Sequence, residues 1–237
     1  MLNNSLSEEC LSKLVKSDEC MAEALFLNTD TYDIPRNQQQ MDTFCHKIKA
    51  TVDCVHDYRS CLKLFPKTFF GIIMRDVRKT AKRICSSQDE KSLAVEHLRC
   101  FDSKEKLNLF RSVVSGWTNV LNYVNTIPPN NIIPNLCCAY HFLHQHGIAT
   151  INDTCLNIAG PMKGDFVVGI LKSAVSDILD LGCAKHHSLQ VCQKAMPTQI
   201  DVVKMLLVKG LTEKFFVTPI TPLLQIASNL DKKINVD

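Results

Sequence analysis

Apolar residues recur every three and four positions along most of this chain, the period of an α-helix with one buried face. The pattern is clearest over 67–84. Phe70, Ile73, Val77, Ala81 and Ile84 share one face there, and Arg75, Arg78, Lys79, Lys82 and Arg83 fill the other. It returns over 163–182, with Val167, Ile170, Leu171, Ala174, Val175, Ile178 and Leu181 set against Lys172, Ser173, Ser176 and Asp180. At about 100° per residue such a stripe covers nearly half the circumference, enough to face two neighbours. The same period predicts helices over 6–27, 37–64, 88–100, 104–125, 134–146, 185–193, 199–209 and 220–229. Ser5 or Ser7 is placed to cap the first, and Asp102 or Ser103 to cap the helix of Leu107, Phe110, Val113, Val114 and Trp117. The breaks are short: Thr29 to Pro35, the Pro128-Pro129 pair, Pro161 with Gly164, Pro197, and Pro219 with Pro222. Eight glycines and nine prolines are too few for a turn-rich β-sandwich. The predicted class is all-α, a multi-helix bundle.

Cysteine changes that picture from a bundle to a stapled bundle. Twelve cysteines stand at Cys10, Cys20, Cys45, Cys54, Cys61, Cys85, Cys100, Cys137, Cys138, Cys155, Cys183 and Cys192. An even number at this density belongs to an oxidising compartment. A chain of 237 residues can bury its own core. The bridges therefore lock a fold that is nearly stable without them, each adding roughly 2–4 kcal/mol. The whole of 1–237 is expected to form a single compact helical unit. Within it two sets of cysteines run in parallel across the Pro-Pro break, 45–61–85–100 and 138–155–183–192. Their first gaps are 16 and 17 residues and their second gaps 24 and 28, but the last differ at 15 and 9. This spacing is what a duplicated helical unit would leave, with pseudo-repeats over 37–126 and 132–196. Helical periodicity alone also produces such alignments, so duplication and coincidence both stand. The symmetric pairing is Cys45 with Cys85, Cys61 with Cys100, Cys138 with Cys183 and Cys155 with Cys192. Cys10, Cys20, Cys54 and Cys137 would then tie the N-terminal helix and the two halves together. Spacing does not decide among the roughly ten thousand possible pairings.

Composition bears on function mainly by exclusion. The net charge of +3 is far from the footprint of a nucleic-acid binder, and no apolar run is long enough to cross a membrane. The first residues, Met1 to Leu6, lack the basic flank and apolar core of a signal peptide. The cysteines favour a numbering that begins in a mature form over a reduced cytosolic chain. Asn3 and Asn152 head glycosylation triplets, which fits secretion. Cys137, His141 and His144 fall at i, i+4 and i+7 on a helix, within reach of one Zn²⁺ if the thiols are reduced. Cys138 and His146 lie beside them, and His186-His187 is a weaker pair. With the cysteines oxidised the histidines are polar helix positions, and no metal or other cofactor is expected. Arg75, Arg78, Lys79, Lys82 and Arg83 form a face able to bind an anion, or a solvated face offset by Asp76 and nearby carboxylates. Asp53 and Asp57 share a helical face beside His56 and Arg59, which reads as a surface ion pair. No nucleophile elbow, phosphate loop, dinucleotide fingerprint or calcium loop is present, so no enzyme is predicted.

The last third is rich in aliphatic residues: Val202, Val203, Met205 to Val208, Phe215 to Val217, Ile220, Leu223, Leu224 and Ile226. Helices apolar on nearly half their circumference can enclose a cavity as readily as a solid core or an oligomer interface. Phe44-Cys45, Cys54, Cys61 and the helix ending at Cys85 come first in the chain. Pro134 to Tyr140, Cys155, Cys183 and Cys192 follow. Together they resemble secreted, cysteine-rich, all-helical arthropod proteins, namely the 27 kDa haemolymph glycoprotein group and related arachnid secreted proteins. The resemblance spans about 40–195 and departs at His144 and His146, where a counterpart of Cys54 would fall. It implies an extracellular-fluid protein without established catalysis. The expected role is a secreted carrier or storage protein that holds a lipid or other hydrophobic small molecule. The alternatives are a subunit of an extracellular assembly, self-associating or joined to a partner, and a secreted hydrolase without a recognisable motif.

Overall fold

In the computed structural model, residues 7–25, 27, 34–155, 182–208 and 218–234 are described. Among them there are nine α-helices and no strand. The helices are α1 (Glu8–Ala24), α2 (Gln38–Asp57), α3 (Leu64–Ile84), α4 (Gln88–Leu98) and α5 (Lys104–Val124). They continue with α6 (Pro129–Thr154), α7 (Leu189–Ala195), α8 (Pro197–Val208) and α9 (Ile220–Ile234). The helix expected over 163–182 lies outside the described residues, apart from Gly182.

Every helix start has a local cause. Ser7, Asn37, Ser87, Ser103 and Ser188 each accept the backbone N–H three residues on, opening α1, α2, α4, α5 and α7. That satisfies one of the donors a helix leaves orphaned at its N-terminus. The other four helices carry proline in or just before the first turn: Pro66, Pro129, Pro197, and Pro219 with Pro222. No intrahelical hydrogen bond is lost there, and the fixed φ suits the helix.

Two boundaries differ from expectation. The helix expected over 37–64 stops at Asp57 and tightens into a 3₁₀ turn at Tyr58–Cys61. Tyr58 is buried against the core, and Cys61 is drawn to a bridge with Cys10. Lys63 is extended, so α3 begins anew. The helix expected over 134–146 runs instead from Pro129 to Thr154, with Pro134 inside it. Pro134 falls in the second turn and removes one N–H, and the Asn135 side chain adds a bond there by donating to the Asn131 carbonyl at 2.8 Å.

The core is shared between two groups of helices. Leu14, Met21, Val52, Val55, Phe70 and Met74 pack α1, α2 and α3 together. Val120, Leu121, Val124, Ala139, Leu143 and Val203 pack α5, α6 and α8. Helix α9 belongs to both, because Ile220 and Leu224 enter the first group while Ile226 enters the second. Its start is fixed by a buried polar cluster. The Thr218 hydroxyl donates to Asp18 Oδ1 of α1, and the Thr221 hydroxyl donates to the same oxygen at 3.2 Å. Thr218 Oγ1 in turn accepts the Ile220 N–H at 3.3 Å.

All twelve cysteines are paired. Cys10–Cys61 and Cys20–Cys54 fasten α1 to α2 and to the turn after it. Cys45–Cys85 joins α2 to the end of α3, as the symmetric scheme expects. The other three pairings of that scheme do not form. Cys100 joins Cys155, Cys137 joins Cys183, and Cys138 joins Cys192. The physical reason is the packing of α1 along α2, which claims Cys61 and leaves Cys100 to meet the end of α6. Adjacent Cys137 and Cys138 point about 100° apart on α6 and so reach different partners.

Two outcomes follow from this architecture. Alkylation of the folded protein should label no thiol, and after reduction it should label all twelve, with peptide mapping returning the six pairs above. Replacing Asp18 by Ala leaves two buried hydroxyls without their acceptor. It should lower stability by roughly 2–4 kcal/mol, read as a lower urea midpoint at an unchanged m-value.

Candidate functional site

The wide apolar stripes do not close into a solid interior. A cavity of about 280 Å³ lies between them. Its wall follows helical periods. Helix α3 supplies Phe69, Ile73, Val77, Ala81 and Ile84, four of which belong to the face legible in the sequence. Phe70 of that predicted face is fully buried in the solid core instead. Helix α5 supplies Leu107, Phe110, Trp117 and Leu121, and α6 supplies Leu136, Ala139, Tyr140 and Leu143. Met41, Phe44 and Ile48 of α2 close another side, with Ile220 and Leu223 of α9. The C-terminal aliphatic run thus contributes little to the wall. Val203 and Ile226 are core, Met205 is exposed, and 215–217 lies outside the described residues.

The chemistry of the wall is nearly pure hydrocarbon. None of the described residues lining it is charged. An ordered water needs two to four polar partners, and an engineered apolar cavity of about 150 Å³ stays dry and takes up benzene or xenon. A space of this size and lining has the same preference for apolar matter. Its few polar groups include the Thr80 hydroxyl, the Tyr140 phenol and the Trp117 indole. The Trp117 Nε1–H is buried and has no acceptor among the described residues. Trp117 meets Tyr140 edge-on, with ring centroids 6.5 Å apart. Tyr140 also touches the rings of His141 and His144, at 5.5 and 5.6 Å.

The other residues singled out from the sequence are placed as follows. Cys137 is in a disulfide, so it offers no thiolate, and the Cys137, His141 and His144 set does not assemble as a metal site. His146 stacks on Phe142, and His187 Nδ1 is 3.3 Å from the Ala184 carbonyl. Arg75, Arg78, Lys79, Lys82 and Arg83 are all exposed along α3. Arg78 pairs with Asp53 across to α2 at 3.0 Å. Asp76 is buried and forms an ion pair with the exposed Arg75, whose Nε lies 3.4 Å from Oδ1. Asn152 is exposed near the end of α6, while Asn3 lies outside the described residues. Among the described residues no helix is long and apolar enough to cross a membrane. Among the described residues, large exposed apolar side chains come from six helices, and only Leu11 and Val15 adjoin along one of them.

Sequence reasoning passed over two residues. Asp18 looks like any polar position on α1, and only its partners 200 and 203 residues away reveal it. Trp117 carried a visible signal, as the chain's one tryptophan on an amphipathic helix. Comparison with known proteins returns nothing: no family model, no curated protein and no solved structure matches this chain.

His56 is the titratable group on which pH acts most plainly. It is half-buried on α2, stacked on Phe70 at 6.5 Å. Burial first, then the charges of Arg78 and Arg59, hold its pKa below the ordinary histidine value of 6.5. The unfolded chain therefore takes up this proton more readily, and stability is lost as pH falls below about 6.5. The urea midpoint should decline over that range, and His56→Gln should make the decline shallower.

Proposed function

We propose that this chain is a secreted, non-catalytic carrier of a hydrophobic small molecule or lipid. The observation that carries the reading is the cavity of about 280 Å³ with no charged residue in its described wall. Binding pockets for apolar ligands are built this way, from hydrocarbon and aromatic walls with a few polar anchors. An extracellular setting is supported by the pairing of all twelve cysteines, since a reducing cytosol would not keep such bridges closed. The implied resemblance to haemolymph proteins points the same way.

Filling the cavity should stabilise the protein by mass action, since only the folded chain holds the ligand. Organic extraction and native mass spectrometry of purified protein should reveal a co-purifying apolar molecule, and adding it back should raise Tm. Ala81→Phe places a ring in the cavity and should weaken binding at least about tenfold while the helical signal is kept. A stable oligomer that yields no extractable ligand and binds none when offered would sink the carrier and favour the assembly subunit.

A further inference from the structure

Helix α3 lines the cavity with one face and turns a strongly basic face to solvent, and α2 extends that basic face. We propose that this α2–α3 face is a docking surface for a sulfated polysaccharide, in which Lys49 and Arg59 join the five cations of α3. The inference rests on the extracellular part of the reading above and not on the cavity.

A disulfide and an ion pair fix the register of these antiparallel helices. Cys45 is bridged to Cys85, and Asp53 pairs with Arg78 at 3.0 Å. One helical turn on from that ion pair, Lys49 of α2 comes beside Lys82 of α3. At the other end Arg59 lies across Gly71, with its Nε 3.9 Å from where a Gly71 Cβ would stand. Gly71 is on the same side of α3 as Arg75, Arg78 and Lys82. From Gly71 to Arg83 the strip is about 18 Å long, at 1.5 Å per residue. Next to burial, the charges of Arg78 and Arg59 hold the His56 pKa down, so both guanidiniums bear on one spot of the seam.

Charge on this strip is segregated, not balanced. Its seven cations stand against Asp53, Asp57 and the buried Asp76, whereas the whole chain carries a net charge of only +3. Lys49, Arg59, Lys79, Lys82 and Arg83 are exposed and make no ion pair among the described residues. Arg75 with Lys79, Arg78 with Lys82 and Lys79 with Arg83 are like-charged i, i+4 pairs, each unfavourable for the helix alone. A bound polyanion removes that repulsion. A strip suits a linear polymer of repeating charge better than one small anion. The paired cysteines favour an oxidising compartment, whereas the anionic leaflet of a membrane faces the cytosol. A membrane-surface helix also carries large apolar side chains beside its cations. None of the large exposed ones falls between Lys49 and Arg59 or between Arg75 and Arg83. No Phe, Tyr or Trp is exposed there for a base to stack on. A sulfated polysaccharide meets these conditions, and its oxyanions suit the guanidinium fork as phosphates do.

The test is binding of the purified full chain to immobilised heparin, followed over a range of NaCl concentrations. Lys79→Gln, Lys82→Gln and Arg83→Gln together remove three exposed cations that hold no ion pair, so the helical signal should be unchanged. Affinity near physiological salt should fall at least about tenfold, and the slope of log Kd against log salt should drop by roughly 2–3. Should that variant fail to fold, Lys49→Gln with Arg59→Gln probes the same strip from α2 and should cost at least about threefold. A control variant, Lys185→Gln with Lys194→Gln and Lys204→Gln, loses the same charge elsewhere on the molecule and should bind almost as the wild type does. Equal weakening by the control would overturn the inference, since net charge alone would then account for binding. So would tight binding to phosphatidylserine vesicles or to double-stranded DNA without retention by heparin. Heparin stripped of sulfate but keeping its carboxylates should compete poorly, and competition equal to that of native heparin would overturn the choice of a sulfated partner. No retention on heparin would overturn the inference as well and leave the carrier standing, because α3 turns its other face to the cavity.

Discussion

Covalent cross-links between neighbouring helices hold the frame of this bundle, and much of the rest is built on that frame. In an ordinary helical core the distance between helices is whatever the interlocked side chains allow. Here the bridge Cys20–Cys54 holds α1 against α2, Cys45–Cys85 holds α2 against the end of α3, and Cys138–Cys192 holds α6 against α7. The pocket of about 280 Å³ is partly open to the surface, and no bridge runs across it from α3 to α5 or α6. Bridges worth roughly 2–4 kcal/mol each hold the helices on either side of it.

A hollow bundle needs its surrounding helices held in one arrangement, and apolar contacts are poor at choosing among arrangements. The buried cluster of Asp18, Thr218 and Thr221 supplies a directional constraint. It joins residues 200 positions apart and sets where α9 begins. Helix α9 then spans both core groups, with Ile220 and Leu224 on one side and Ile226 on the other. A slip of one residue in α9 would break both hydroxyl bonds and rotate its apolar face by about 100°. The cluster thus acts on register, while the hydrophobic contacts act on overall stability.

The division between what was and was not legible in the sequence follows from the range of each interaction. Helices were legible because periodicity, caps and first-turn prolines are local. The face of Ile73, Val77, Ala81 and Ile84 was read as apolar and does line the cavity. The break after Asp57 was not read, because it depends on Tyr58 packing into a core made by other helices and on Cys61 meeting Cys10. Bridge partners were largely illegible for the same reason. Matching gaps pointed to a symmetric scheme, but α1, which has no counterpart in that scheme, packs on α2 and takes Cys61, the expected partner of Cys100. Asp18 was invisible because nothing near it in sequence distinguishes it. The cavity was foreseeable only as a choice between hollow and solid, since the same stripe serves either.

What decides that choice is side-chain size at the positions that face inward. Helix α3 presents Ala81 and α6 presents Ala139, each beside larger residues a turn away. In a freely adjusting bundle small residues at such positions would let the helices approach and close the gap, because packing gains grow as voids shrink. Here the larger neighbours, Val77 and Ile84 on α3 and Leu136 and Leu143 on α6, line the same space. A preformed space also changes the thermodynamics of filling it. Little of the chain has to be ordered when a ligand enters, so most of the contact energy appears as affinity. The nearly apolar wall adds to this, because it offers an ordered water few hydrogen-bonding partners. Small residues placed inward among larger ones therefore give this bundle an apolar recess where a uniformly large set of side chains would give a filled core.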